Sequence, residues 1–165
     1  MLLSSEFDPP LNSALLRDAR AAQSPAPCRV RLAALEDDRV DSQYMGEIGG
    51  RPVRADTMAW LRSGLALLGR NPRLQLVQTG PADVVISVRL LKAYVLSITT
   101  QKSANVAVKV RYAGGATPPD EQVYRGNDVA VNWVSGSGEA QAALNSALND
   151  VLYEIERDLL SRCGR

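Results

Sequence analysis

Apolar and polar residues alternate along five stretches of the chain in the way that is typical of half-buried β-strands. The strands predicted on this basis cover residues 29–35, 73–79, 82–99, 105–112 and 123–133. In the longest stretch the predicted apolar face consists of the even positions from Val84 to Ile98, with Lys92 as an exception. In the last stretch Gly126 interrupts the alternation, and this predicts a β-bulge there.

Two other stretches have apolar residues at helical spacing. The first helix is predicted to begin after Asp56, a suitable N-cap, and to end at Gly69. The second is predicted to begin at Ser137 and to extend almost to the last residue, with one apolar stripe formed by Leu144, Leu148, Val151, Ile155 and Leu159. The resulting order, β-α-β-β-β-β-α, predicts an α+β fold in which two helices pack on one face of a mostly antiparallel, mixed sheet.

The first 27 residues differ in composition from the rest of the chain. Pro9-Pro10 and the segment 24–27 flank a stretch, 11–23, that could form a short amphipathic helix, but a tether with a docked turn is the preferred interpretation. The sequence therefore predicts a peripheral segment over 1–27 and a single folded domain over 28–165.

The amino-acid composition excludes several classes of catalytic mechanism and makes one class of partner unexpected. The chain has no histidine, which excludes Ser-His-Asp and Cys-His mechanisms and removes the commonest zinc ligand. A net charge of +1 offers no long-range attraction to nucleic acid, so nucleic acid is not an expected partner. Residues 1–13 lack the pattern of a complete signal peptide, as expected either for an exported protein whose signal has been removed or for a cytosolic one.

Three acids, Asp37, Asp38 and Asp41, lie between the first predicted strand and a glycine-rich turn that matches no known phosphate-binding loop. They could serve a divalent-metal enzyme, or they could form a solvated strand end whose carboxylates accept backbone hydrogen bonds. The second interpretation is preferred, because Arg39 stands among the acids and compensates their charge. At most, Arg39 and Asp41 contribute to a surface for a partner. Trp60 falls off the stripe of the first helix, which predicts partial exposure and a place on the same surface.

The two cysteines, Cys28 and Cys163, lie at the two ends of the predicted domain. They could be two buried thiols, but a disulfide is preferred. A last helix of about 34 Å can return its end to the sheet edge where the first strand begins. If the cysteines are bonded, the protein works in an oxidising compartment.

The C-terminal third carries a resemblance to a known family. The stretch VYRGNDVAVNW (123–133), followed by LNSALNDVLYEIERDL (144–159), resembles the YajG-like lipoproteins of Gram-negative envelopes. Ala82-Asp83 and Asp37-Asp38-Arg39 fit the same family, so the resemblance extends over about 29–161. It implies a periplasmic lipoprotein anchored in the outer membrane, a fold similar to auxiliary lipoproteins of envelope transport systems, and no catalytic residues.

The leading hypothesis is a non-enzymatic binding or assembly module of the cell envelope, without cofactor or metal, accessory to transport or maintenance. Its expected partner is an unidentified envelope protein or lipid component. Contact with a membrane is expected only through a lipid anchor outside this sequence, because no cysteine near residue 1 could accept a lipid. The alternative is a small cytosolic enzyme that uses a divalent metal on the three acids. A homo-oligomer is a third hypothesis, because long strands have edges that need cover.

Overall fold

The computed structural model describes residues 1–11, 13, 26–97, 100–116, 118–131 and 136–164. The strands are β1 (Cys28–Asp37), β2 (Tyr44–Ile48), β3 (Arg51–Arg54), β4 (Leu74–Leu76), β5 (Val84–Ser97), β6 (Gln101–Gly114) and β7 (Asp120–Val131). The helices are α1 (Thr57–Ala66), which continues into a 3-10 turn (Leu67–Arg70), and α2 (Ser137–Arg162). The predicted α+β class with two helices and a mixed sheet is confirmed.

The β2–β3 hairpin is an addition to the predicted order, because the segment between the first strand and the first helix read as a loop. Its turn is Gly49-Gly50, and both glycines have positive φ, 55° and 72°. Two consecutive positive φ angles are what a tight hairpin turn requires, and glycine adopts them without steric cost. The flanking strands have only five and four residues, too few for a recognisable alternation.

The sheet is built around β5. On one side β5 pairs with β6 antiparallel, and β6 pairs with β7 antiparallel. On the other side β5 pairs in parallel with β1 along its first half and with β2 along its last residues. The short β4 extends the sheet beyond β1, also in parallel. Helix α2 crosses β5, β6 and β7, and α1 packs beside it on β1, so that the core lies between the helices and one sheet face.

A β-bulge in β5 corrects the predicted apolar face of that strand. Leu90 pairs with Val108, but the next pair is Lys92 with Ala107, so Leu91 is an extra residue. The extra residue reverses the faces of all later positions. Ala93 and Val95 are therefore buried in the core, whereas the even positions Tyr94 and Leu96 lie on the opposite face. Ile98 lies outside the described residues.

The bulge predicted at Gly126 is wrong. The pairing of β6 with β7 continues without a register shift from one end of β7 to the other. The glycine is required by the helix instead, because a Cβ at Gly126 would stand 1.8 Å from the carbonyl oxygen of Ala147 in α2. Helix and strand backbones thus touch at this point. Trp133, predicted on the same strand, lies outside the described residues.

The described part of the N-terminal segment contacts the domain. Leu3 and Phe7 are buried in the core, and Leu2 forms a parallel bridge with Arg54 of β3. The hydroxyl of Ser13 donates a hydrogen bond of 2.5 Å to Asn149 of α2. The helix considered for 11–23 lies outside the described residues, apart from Leu11 and Ser13. The division of the chain between residues 27 and 28 stays a prediction.

Cys28 and Cys163 form a disulfide in this structure, with a Cα–Cα distance of 6.0 Å. The bond joins the first residue of β1 to the residue that follows α2, 135 positions later in the chain. It closes a ring that contains every labelled strand and helix. Among the described helices, none is both long and apolar enough to cross a membrane.

Candidate functional site

Asp37 and Arg39, the centre of the sequence-predicted cluster, form a bidentate ion pair at the end of β1. The Nε of Arg39 donates to Oδ1 of Asp37 at 2.9 Å, and a terminal nitrogen donates to Oδ2 at 2.7 Å. Burial raises the pKa of the Asp37 carboxyl, but the hydrogen bonds and the charge of Arg39 outweigh it, so the pKa lies below its ordinary value. Both side chains are only 9% exposed.

The remaining donors of Arg39 bond three carbonyl oxygens in two other segments of the backbone. They bond the carbonyl oxygens of Ser42 at 2.5 Å, Tyr44 at 2.9 Å and Ala93 at 3.4 Å. Arg39 therefore connects the end of β1 to β2 and to the middle of β5. Each nitrogen of this guanidinium donates a hydrogen bond within the protein, and the side chain is almost fully buried. Arg39 therefore stabilises the fold and is not accessible to a partner.

The other two acids point to different arginines. Asp38 pairs with Arg89 at 3.5 Å, and Asp41 pairs with Arg54 at 3.7 Å. Asp41 also accepts hydrogen bonds from the backbone N–H groups of Gln43 and Tyr44 and is half exposed. Within the described ranges no three acidic or thiol side chains come together as a metal ligand set. The geometry thus favours the strand-end interpretation over the metal-enzyme alternative.

The predicted exposure of Trp60 is wrong. Its side chain is 1% exposed, and its indole Nε1 donates to Oδ1 of Asn145 in α2 at 2.9 Å. The buried face of α1 is wider than its apolar stripe, because α2 covers a second side of this helix. The spacing of apolar residues in α1 alone does not show that contact. Of the three residues expected on a partner surface, Asp41 alone has a substantially exposed side chain.

An apolar groove opens beside α1, and sequence reasoning did not find it. Its volume is about 370 Å³, within the range of small-molecule and side-chain binding sites. Apolar side chains from the sheet form its floor and others from α1 and the 3-10 turn form one wall. The main lining residues are Val30, Leu32, Ile86, Leu65, Leu68 and Leu76.

The shortness of β4 creates this groove. β4 pairs with β1 only as far as Val30, where the N–H of Val77 donates to the Val30 carbonyl, and the chain then leaves the sheet. From Leu32 onward β1 is therefore an edge strand on this side. Leu32 is half-buried and Leu76 is 39% exposed, so two leucines face the opening without a strand or helix over them in the described part of the chain.

The mouth of the groove is polar. Arg62 of α1 and Gln78 line it, and both are exposed. Among the described residues no carboxylate lies within ion-pair distance of Arg62. An apolar group with an anionic end would bury its apolar part against the leucines and place its charge beside the guanidinium. In the sequence the site is marked only by an arginine on the polar side of a helix and a leucine at the end of a short strand. Both features are too common in proteins to identify a binding site.

Comparison with known proteins shows the fold. No family model matches the chain, and no curated protein matches it in sequence. The structure is similar to protein XCC0632 from Xanthomonas campestris, which is assigned to DUF330, with a TM-score of 0.61, 9% identity and coverage of 97% of this chain and 94% of that one. It is also similar to the hypothetical protein CT253 from Chlamydia trachomatis, with a TM-score of 0.50, 11% identity and coverage of 83% and 95%.

A weaker likeness, with a TM-score of 0.46 and 12% identity, relates it to a minor lipoprotein from Acinetobacter baumannii, over 81% of this chain and 90% of that one. This likeness is too low to carry an argument. The chain is thus an α+β domain that shares its fold with XCC0632. The YajG-like family remains a resemblance in sequence.

Proposed function

We propose that this protein is a non-enzymatic binding or assembly module of the Gram-negative cell envelope, of lipoprotein type, and that its groove beside α1 holds an apolar group of its ligand. The observation that carries the proposal is the groove itself, where Leu32 and Leu76 line an open apolar space with Arg62 at the mouth. A longer β4 would cover the edge of β1 beyond Val30, but β4 ends there and that edge is uncovered in the described part of the chain.

The disulfide supports a location in the periplasm, which is an oxidising compartment. Bonds between cysteines form and persist in the periplasm and other oxidising spaces and are rare in the cytosol. The sequence resemblance to envelope lipoproteins points in the same direction. Alkylation of acid-quenched, denatured cells of the native host tests this part, because denaturation exposes Cys28, which is buried in the native state. Cys28 and Cys163 should react with a maleimide reagent only after a reductant is added. Reaction before reduction would contradict an oxidising compartment.

The groove is tested with 8-anilinonaphthalene-1-sulfonate, a probe with an apolar body and an anionic end. We expect the probe to bind the native protein, Leu76→Asp to weaken binding by about 10-fold or more, and Arg62→Gln to weaken it less. Leu2→Asp is the control, because Leu2 is an exposed leucine that lines neither the groove nor the sheet face opposite the helices. Urea unfolding of each variant shows that the native state is retained, since partly folded proteins also bind this probe. Equal binding by the Leu76 variant and the control would refute the groove as the site.

A further inference from the structure

The face of the sheet opposite the helices has no cover in the described part of the chain, and one region of it is both apolar and positively charged. We call this region the open-face patch. It consists of Lys92, Tyr94 and Leu96 on β5 and Arg125, Val129 and Val131 on β7. The register of β6 between these strands places Lys92, Ala107 and Arg125 in one row and Leu96, Ser103 and Val129 in another.

The apolar end of the patch is unusual for a solvent-facing surface. Leu96, Val129 and Val131 are 46%, 56% and 58% exposed. A face that is meant for water normally carries polar side chains on alternate positions, particularly on an edge strand such as β7. Three exposed aliphatic side chains on neighbouring positions favour a surface that a partner covers. The small Ser103 between Leu96 and Val129 leaves the surface flat.

The other end of the patch carries two cations. Lys92 and Arg125 flank Ala107 in their row, two strand spacings or about 10 Å apart. Neither has a carboxylate within ion-pair distance among the described residues, and the Lys92 ammonium lies 4.5 Å from the centre of the Tyr94 ring. Two other cations of this face are neutralised: Arg89 pairs with Glu36 at 3.1 Å and Lys109 with Glu121 at 3.1 Å.

We infer that the open-face patch docks an amphipathic helix of a partner protein, with an acidic side chain of that helix between Lys92 and Arg125. A helix is the usual cover of a sheet face. The row of Leu96 lies four residues from the row of Lys92, about 13 Å along the strand. A helix rises about 1.5 Å per residue and repeats about every 3.6 residues, so the positions of one helix face that come nearest to this distance are about seven or eight residues apart. The acidic residue should therefore stand about seven or eight positions from the apolar residues that contact Leu96 and Val129.

Two other occupants fit less well. A second copy of the chain, placed face to face, would bring four unpaired cations into one interface without an acidic side chain of either patch to pair with them. A lipid surface is better met by apolar side chains on protruding loops or helices than by short valines within a flat strand. An exposed apolar region beside uncompensated cations is common at protein interfaces. This inference concerns a surface remote from the groove and does not depend on the proposed ligand.

Site-specific photo-crosslinking in the native host tests the inference. A photoreactive amino acid is placed at Ala107, between the two cations, and at Val129. The control position is Arg70, an exposed residue of the 3-10 turn beside β4, at the sheet edge remote from β7. We expect a partner peptide to be joined at both patch positions, to be absent at Arg70, and to contain apolar residues at helical spacing with Asp or Glu about seven or eight positions away on the same helix face.

A charge-reversal measurement completes the test. With the synthetic partner peptide, Lys92→Glu/Arg125→Glu should lower the affinity at least 10-fold, and a peptide with its acidic residue changed to lysine should restore it. Arg31→Glu/Arg111→Glu, which makes the same charge change elsewhere on the protein, should bind as the wild type does. Cross-linking only to a second copy, only to lipid, or to a peptide without an acidic residue would overturn the inference. The same holds if binding is insensitive to the reversal.

Discussion

Removal of the disulfide by Cys28→Ala/Cys163→Ala should lower the stability of the protein by about 3–5 kcal/mol. The bond joins residues 135 positions apart. For a closed ring of that size, the loss of conformational entropy in the unfolded chain corresponds to about 5 kcal/mol at 25 °C, and strain in the native state usually reduces the figure. The change also removes a sulfur atom at Cys28, a residue in the core cluster, so the loss of packing acts in the same direction.

Urea unfolding under oxidising conditions is the appropriate assay. With a slope of about 2 kcal/mol per molar urea, the expected loss moves the unfolding midpoint down by about 2 M. The midpoint of wild-type protein treated with a reductant should move most of the way to that of the double variant, the remainder being the lost packing at Cys28, and the reductant should leave the double variant unchanged. This pair of measurements separates the bond from the side-chain substitutions.

A midpoint shift below about 0.5 M, with an unchanged slope, would refute the reasoning. It would mean that the unfolded chain gains little freedom when the bond is absent, and hence that its two ends remain near each other without it. A large shift in the variant but none in the reduced wild type would show that packing around Cys28, and not ring closure, supplies the stability.

The remaining predictions concern two other contacts. Gly126→Ala should destabilise the protein by about 3 kcal/mol or more, because the new Cβ would meet the Ala147 carbonyl oxygen, whereas Gly138→Ala, with nothing within 4 Å of the added atom, should stabilise the helix by up to about 1 kcal/mol. Similar unfolding midpoints for the two variants would contradict the direct contact of α2 with β7. Asp37→Asn should destabilise the protein near neutral pH, because the Asp37 carboxyl, whose pKa is held below its ordinary value by Arg39, stabilises the native state when ionised. The stabilisation by the ionised carboxylate is complete above the unfolded pKa of about 3.9 and is lost as the pH falls through the lower native pKa. The difference in unfolding free energy between wild type and variant should therefore shrink below about pH 4. A difference that does not vary with pH would argue against an electrostatic origin.

The sequence pattern predicted those features that depend on local periodicity. The last helix, the central strands and the fold class follow from the spacing of apolar residues, and each of them spans enough residues for the period to be clear. The β2–β3 hairpin was missed because its strands are too short to show a period, although Gly49-Gly50 is a recognisable turn signal.

The features that the sequence did not predict depend on contacts between distant parts of the chain. The bulge at Leu91 left one trace in the sequence, Lys92 on the predicted apolar face, but the pairing with β6 is needed to show that the faces exchange there. Gly126 looked like a strand irregularity because the nearby atom that demands it belongs to Ala147, on another element. Trp60 is buried by α2, and the groove arises where β4 stops, neither of which alters the local pattern. The partner role of Asp41 stays a prediction.

The position of α2 has a consequence for the time at which this domain can fold. The last helix in the chain supplies much of the apolar layer that covers β5, β6 and β7, and its end carries the cysteine that bonds to β1. A nascent chain that has completed the sheet strands still lacks this layer, and ordering the sheet before its cover exists would cost entropy without the burial that offsets it. The sheet is thereby expected to become ordered only after α2 has been synthesised, so the strands that precede it remain unfolded for longer than their own length requires.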